Sequence, residues 1–310
     1  MPPVESRCVI TRADPGFPPM LSDLPDPPSA LYVRGDPTAL LRPCLSIVGA
    51  RRSTPYGRAV AQMAARIAAE AGLVVVSGGA RGCDHAAGTA AMDAGGTHVA
   101  VLGCGADVSY PRTSKPMLDR AIASGGAVVS LDPWGTSPRK WAFPKRNRVI
   151  AALSAALVVT EAGLPSGTFT TASAANELDR ELLAIPGSIF SAESRGSNYL
   201  ISSGATCIAD EEDLELAISR IYGTLRFCRP EAAGIPGLDP GEAALADALA
   251  ASPLRGDEAA HVLGLSEHEA VIALSDLQVR GIIERQLDGR FALSERSLHA
   301  RTALGHNGGH

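Results

Sequence analysis

A short basic segment, RKWAFPKRNR, occupies positions 139–148 of this 310-residue chain. Half of its residues are cations and none is acidic, although the whole chain has 28 Lys and Arg against 33 Asp and Glu, a formal net charge of -5. The cations are Arg139, Lys140, Lys145, Arg146 and Arg148. Cations attract phosphate groups, and aromatic rings stack on bases. The segment therefore indicates binding to a nucleic-acid backbone, while its two rings, Trp141 and Phe143, are equally suited to stacking or to core packing.

Three glycine-containing turns offer a second kind of phosphate site. The turns VGARRSTPYG, SGGARGCD and SGTFTTA each follow an apolar run and open a helical pattern. Backbone N–H groups at a helix N-terminus can face an anion, and the helix dipole favours one there. The predicted contacts from the turns are Gly49, Arg51, Arg52, Ser53, Gly78, Gly79, Ser166, Gly167, Thr168 and Thr170. Those from the basic segment are Lys140, Phe143, Lys145, Arg146, Asn147 and Arg148.

Residues that would carry out catalysis are harder to find. The chain has neither a correctly spaced G-x-G-x-x-G turn nor a G-x-x-x-x-G-K-[ST] loop. His85 and His98 are isolated, without the spacing of metal ligands. Glu161, at the end of an apolar run, is open to two interpretations, as a general base or as a carboxylate that binds the neighbouring turn. We therefore predict no catalytic residue, no metal, no cofactor and a protein that is not an enzyme.

The segments that must position these residues alternate between short apolar runs and amphipathic helices. This pattern predicts an α/β fold, an extended Rossmann-like parallel sheet with helices on both faces. Its ligands are expected at the carboxyl ends of the strands. The predicted organisation is a proline-rich extended lead-in (1–43), a Rossmann-like domain that binds the nucleic acid (44–221), a linker (222–240), a small C-terminal winged-helix domain (241–296) and a disordered tail (297–310).

The cysteine pattern and the apolar segments indicate the cellular compartment of the protein. The six cysteines contain no C-x-x-C pair, so we expect reduced thiols rather than disulfides or zinc ligands. No apolar run reaches the roughly 18 residues of a spanning helix, and the start lacks the pattern of a signal peptide. These features favour a cytoplasmic protein without a membrane span.

Taken together, the motifs resemble those of the DprA/Smf family of DNA-processing proteins. The resemblance runs from about Asp14 to Ile218 and depends most on the pair FPKRNRVIAALS and SGTFTTA. Membership would imply sequence-independent binding of single-stranded DNA, a homodimer, and loading of the RecA recombinase onto incoming DNA during natural transformation. It would place the pocket at Arg51, at the cations and Phe143 of the basic segment, and at the SGTFTTA turn.

Two stretches depart from the family pattern. The usual Ser-Glu after the fourth strand reads Ser130-Leu131-Asp132, and the usual "GID…AH" turn reads GCDHAAG, with Gly88 where His is common. We expect these changes to affect a structural hydrogen bond rather than DNA binding.

Two other functions compete with this interpretation. One is a LOG-type nucleotide phosphoribohydrolase acting on a small phosphorylated nucleoside, although PSGTFTTASAANE lacks the second glycine and the nearby glutamate of that enzyme's turn. The other is duplex reading by the winged helix. Its third helix carries Arg280 against Glu267, Glu269 and Asp276, which suits a DNA groove poorly.

Overall fold

The computed structural model describes residues 6–224, 235 and 237–303. Nine strands form its main sheet: β1 (Arg7–Thr11), β2 (Ala30–Gly35), β3 (Cys44–Val48), β4 (Val74–Ser77), β5 (His98–Leu102), β6 (Ala127–Ser130), β7 (Ala156–Val159), β8 (Glu181–Ala184) and β9 (Thr206–Cys207). Their order is β1-β2-β6-β5-β4-β3-β7-β8-β9. The strands from β6 to β9 run parallel, and β1 and β2 pair antiparallel at one edge. The predicted Rossmann-like fold class is confirmed.

Seven helices cover the two faces of this sheet: α1 (Pro55–Glu70), α2 (Cys83–Asp93), α3 (Lys115–Ala123), α4 (Ala142–Ala152), α5 (Thr168–Glu177), α6 (Arg195–Ser202) and α7 (Glu211–Tyr222). Strand side chains alternate between the faces, so Val74 and Val76 join one buried cluster and Val75 joins another. Helices α4, α5 and α6 pack on the first face, and α1, α2, α3 and α7 on the second. Because both faces are covered, the ligand-accessible edge is the carboxyl end of the strands.

The N-terminal segment differs from the prediction of an extended lead-in. Residues 7–11 and 30–35 pair with each other as β1 and β2, and β2 pairs with β6, so both belong to the main sheet. The prolines that suggested a lead-in fall between and after these strands, at positions 15–28 and at Pro37 and Pro43. Each strand is proline-free and keeps its backbone N–H groups for the ladder.

In the basic segment, the apolar pattern RVIAALS predicts a short helix that begins at Arg148, and the structure differs. Helix α4 begins at Ala142, six residues earlier, and so includes Phe143, Lys145 and Arg146. Pro144 lies in the first turn, where its missing N–H would have no helical partner in any case. Lys145, Arg146 and Arg148 are therefore held on a helix, while Arg139 and Lys140 precede it.

The C-terminal part, residues 237–303, is here called the C-terminal module. It contains α8 (Pro240–Ala251), α9 (Gly256–Leu263), α10 (Glu267–Val279), β10 (Ile283–Arg285), β11 (Phe291–Leu293) and α11 (Glu295–Ala303). Three helices and an antiparallel pair follow the predicted order of elements, and the winged-helix assignment stays a prediction. Most of the predicted linker and residues 304–310 of the predicted tail lie outside the described residues.

The predicted disordered tail begins as a helix instead. Helix α11 starts at Glu295, and Ser297 is only 4% exposed. Its carboxylate at Glu295 and its imidazole at His299 both contact α1, a tertiary interaction that tail composition does not reveal. Within the described part of the chain, no helix is long and apolar enough to cross a membrane.

Candidate nucleic-acid interface

A groove of about 810 Å³ lies at the carboxyl edge of the sheet. Its walls come from the turn after β3, from the face of α4, and from the turn that opens α5. Eleven of the sixteen predicted contact residues line it: Gly49, Arg51, Arg52, Lys140, Phe143, Arg146, Asn147, Ser166, Gly167, Thr168 and Thr170. Three segments far apart in sequence thus converge on one surface, as the topology of a parallel sheet requires.

Helix α4 divides its own residues between two surfaces. Phe143, Arg146 and Asn147 lie three and four positions apart and share the face that lines the groove. Lys145 and Arg148 lie on another face and line a neighbouring cavity of about 420 Å³ with residues 24–28. Arg148 also forms an ion pair with Glu177 of α5. The structure therefore separates these two cations from the main groove, although Pro144 and Thr170 border both cavities.

Three other predicted contacts are absent from the groove lining. Gly78 and Gly79 lie beneath it, next to Ala80, which does line it. Ser53 follows the two exposed arginines of its turn, and its carbonyl accepts a hydrogen bond from Arg58 Nη1 at 3.0 Å. The backbone of these turns shapes the groove, and its surface comes from neighbouring residues.

The Phe143 ring is surrounded by cations and by a second ring. The guanidinium carbon of Arg51 lies 5.1 Å from the ring centroid, and that of Arg146 lies 5.9 Å from it. The Tyr110 ring lies at 5.9 Å, tilted by 45°. Tyr110 is 47% exposed and lines the groove, yet it was not among the predicted contacts. In the sequence, Tyr110 is marked only by its place near the end of the stretch VLGCGADVSYP, residues 101–111.

Arg146 has a different environment from the one predicted. It is 4% exposed and donates hydrogen bonds to the carbonyls of Gly78 and Val101. Burial lowers its pKa to about 10, which the nearby Asp84 carboxylate opposes, so it stays charged at neutral pH. A side chain at Gly78 would collide with both the Arg146 and the Asp84 side chains, which explains a glycine there. Arg146 thus supports the floor of the groove, and its predicted contact with the nucleic acid stays a prediction.

Asp84 is the partner that makes this burial possible. Its Oδ2 accepts a hydrogen bond from the Gly78 N–H at 3.1 Å. Burial raises the pKa of Asp84, and the charge of Arg146 together with backbone N–H groups counteracts that rise. Removal of either charge would leave the other buried without compensation.

The cations that remain available at the groove are Arg51, Arg52 and Lys140. All three are exposed, and none has an ion-pair partner among the described residues. Arg51 and Arg52 lie on the turn after β3, and Lys140 lies on the residues that precede α4. An extended polyanion could contact these charges along its backbone while a base meets the ring.

The opposite wall is formed by the turn that opens α5. Gly167 precedes the helix, is exposed, and has open space where a side chain would be. Asn147 of α4 donates from Nδ2 to the Gly167 carbonyl at 3.4 Å, which links the two walls. Ser166 Oγ accepts from the Thr168 N–H at 3.2 Å and so orders the turn.

Glu161 is a structural carboxylate in this fold. It is 2% exposed, and its two oxygens accept hydrogen bonds from the N–H and the hydroxyl of Thr54. Burial raises its pKa, and the Thr54 hydrogen bonds counteract that rise. Thr54 in turn caps α1, so Glu161 fixes the start of the helix that follows the Arg51–Arg52 turn.

The departure at Gly88 also has a structural explanation. His98 is fully buried, with Nδ1 at 2.9 Å from the Val75 carbonyl oxygen, and burial lowers its pKa to about 4. A side chain at Gly88 would lie within 2.7 Å of His98 Nε2. A small residue at 88 therefore leaves the space that the His98 ring fills.

The twisted, mostly parallel sheet, its two helical layers and the cationic groove define a Rossmann-like α/β protein with its candidate site at the strand ends. The sequence profile of the family described as DNA recombination-mediator protein A matches residues 8–218. The chain belongs to this family, which confirms the resemblance to the DprA/Smf proteins.

Curated relatives agree with this assignment. The chain is 37% identical to Protein Smf of Escherichia coli over 198 residues, 64% of this chain and 53% of that protein. It is 38% identical to a putative DNA processing protein DprA of Mycobacterium tuberculosis over 265 residues, 84% of this chain and 67% of that protein. The chain thus spans about half the length of the Escherichia coli relative.

Solved structures extend the similarity to the fold. The X-ray structure of DprA from Streptococcus pneumoniae is 37% identical with a TM-score of 0.64, and the match covers 68% of this chain and 74% of that one. A structure reported for the single-stranded DNA binding mode of DNA processing protein A from Helicobacter pylori is 30% identical with a TM-score of 0.62. That match covers 68% of this chain and 96% of that one.

Proposed function

We propose that this protein binds single-stranded DNA without base specificity in the groove between Arg51, Lys140 and the α5 turn. The observation that carries the proposal is the set of available cations around a half-buried aromatic ring. Arg51, Arg52 and Lys140 would contact phosphates, and Phe143 with Tyr110 would meet the bases. This combination tolerates any base because every base has a stacking face.

We base the proposed cellular role of the protein on its family membership. As a DprA/Smf protein, the chain would act on incoming DNA in the cytoplasm as a homodimer, protect it, and load the RecA recombinase during natural transformation. The Helicobacter pylori relative, whose structure was described for its single-stranded DNA binding mode, supports the DNA-binding step of this proposal.

The hydrolase alternative has less support. Its general base would have to come from the groove, whose two acidic side chains are Asp84, buried beside Arg146, and Glu193, which accepts a hydrogen bond from the Ser191 hydroxyl. Among the described residues, no three His, Cys, Asp or Glu side chains are arranged to hold a metal ion. We therefore keep the prediction of a binding protein that is not an enzyme.

The test is the salt dependence of binding to a labelled oligo-dT, measured by fluorescence anisotropy. Contacts with about four phosphates predict a log–log slope of about -3. The variant Arg51→Glu with Lys140→Glu removes two of those contacts, so we expect a slope of about -1.5 and roughly 100-fold weaker binding at low salt.

A matched control reverses two arginines of the C-terminal module, Arg255→Glu with Arg285→Glu, and should bind like the wild type. Wild-type binding that is absent, or that ignores salt, would contradict the proposal. Release of free base from a nucleoside monophosphate would favour the hydrolase instead.

A further inference from the structure

One arginine of α1 is held by the C-terminal module. The Arg58 guanidinium forms ion pairs with Glu295 of α11, through Nε, and with Glu284 of β10, at 3.3 Å through Nη2. Around it, Gln62 donates to Glu295 Oε2 at 3.0 Å and also contacts His299. The module therefore contacts the core through a polar patch centred on one cation.

Arg58 lies directly behind the groove. Its third nitrogen, Nη1, donates to the carbonyl of Ser53, the residue that follows Arg51 and Arg52. On its other side is a cavity of about 370 Å³ lined by Arg58, Arg81, His85 and Glu295. The turns that line this cavity and the groove are in contact, because Gly82 packs against the carbonyls of residues 50 and 51. A cationic track thus continues from the groove towards the module.

The two carboxylates stand where phosphate oxygens would. A guanidinium whose Nε and Nη2 both meet anionic oxygens can bind phosphate oxygens through the same two donors. Glu284 and Glu295 leave Arg58 31% exposed, and Glu295 faces the same cavity as the exposed Arg81. In this state the module neutralises one cation of the track and closes one of its sides.

The contact between the module and the core includes partly exposed ion pairs. Partly exposed ion pairs are worth at most about a factor of five each in an equilibrium. Near them, a cavity of about 310 Å³ lies between the core and the module, with Thr54 and Pro186 on one side and Leu249 and Leu293 on the other. Such a gap forfeits packing contacts that would otherwise fix the module in place.

We propose that Arg58 and Arg81 form a second contact site for the DNA backbone, which Glu284 and Glu295 cover by occupying Arg58 as phosphates would. DNA that extends beyond the groove displaces the module and takes over Arg58. This inference rests on the proposed function, because the strand must first be held in the groove.

The test compares the wild-type chain with Glu284→Gln/Glu295→Gln, using oligo-dT of about 6 and about 20 nucleotides, a range set by the site sizes of single-strand binders. We expect the long oligonucleotide to bind the variant three- to tenfold more tightly, with a slope steeper by about 0.7 for each phosphate gained. The short oligonucleotide, which only fills the groove, should bind both proteins equally. The control Asp257→Asn/Glu267→Gln removes two exposed acids elsewhere in the module and should match the wild type.

A second variant separates release of the module from the new contact. Arg58→Gln breaks the same ion pairs but supplies no cation, so it should gain neither affinity nor slope. An equal gain in Arg58→Gln would overturn the role of Arg58. Wild-type binding that Glu284→Gln/Glu295→Gln leaves unchanged at both lengths would overturn this inference and leave the proposed function intact. Failure of every protein to bind would overturn both.

Discussion

The core and the C-terminal module carry charge in opposite ways. Residues 237–303 contain 6 Arg and 11 Asp and Glu, which gives the module a formal charge of -5, equal to that of the whole chain. The remainder is therefore neutral overall, yet three available cations meet at its groove. Net charge describes neither region, because short-range fields depend on where the charges lie.

Helices α4 and α10 illustrate this difference in how charge is distributed. Helix α4 and the residues before it carry their cations without a nearby acid in sequence, and the groove keeps Lys140 exposed. Helix α10 instead begins with Glu267 and Glu269, and its terminal Arg280 is bound by Glu242 at 2.5 Å and Asp276 at 3.0 Å. The residues before α4 leave Lys140 exposed at the groove, while Arg280 at the end of α10 is engaged in ion pairs within the module.

The largest effect is expected where the groove meets the core. Arg146→Leu leaves Asp84 buried without its counter-charge, so we expect the free energy of unfolding to fall by about 3–5 kcal/mol. Urea denaturation would measure this loss. The control Arg120→Leu removes a 44% exposed arginine of α3 and should change stability by no more than about 0.5 kcal/mol.

If Arg146→Leu changed the free energy of unfolding by no more than about 0.5 kcal/mol, the role of Arg146 in the groove floor would be contradicted. Such a result would favour the prediction from sequence, in which Arg146 contacts the nucleic acid.

The position of Arg146 also shows what the sequence cannot decide. Arg146 lies on the face of α4 that lines the groove, and ten other residues predicted from type and spacing to contact the nucleic acid also line it. Its burial depends on Asp84 and on Gly78, which reach it only through the sheet topology. Likewise, β1 and β2 are defined by pairing with each other and by the pairing of β2 with β6, and α11 is positioned by its contact with α1. These contacts are distant in sequence, so local patterns do not reveal them.

A smaller effect is expected from the ring at the centre of the groove. Phe143→Ala should weaken oligo-dT binding by about 1–3 kcal/mol, the worth of stacking one base, with an unchanged salt slope. Phe143→Trp should retain the affinity. Fluorescence anisotropy at fixed salt measures both variants.

Trp141→Ala serves as the control because Trp141 is 56% exposed, stacks against Arg139 and does not line the groove. An equal loss in both variants would mean that bases meet the surface outside the groove. A loss of stability in Phe143→Ala without a loss of affinity would assign the ring to core packing, the alternative that composition left open.

The smallest effect is expected on the module, where α10 exposes Ile272 and Val279 at 61% and 87%. An acidic, apolar face is poorly suited to a DNA groove, since contacts there need cations for the phosphates and polar groups for the base edges. Ile272→Ser with Val279→Ser should therefore leave oligo-dT and duplex affinities within about twofold, and the free energy of unfolding within about 0.5 kcal/mol, as is usual for surface changes. A marked loss of duplex binding in this variant would contradict the comparison, because it would make α10 a DNA-contacting helix despite its charge.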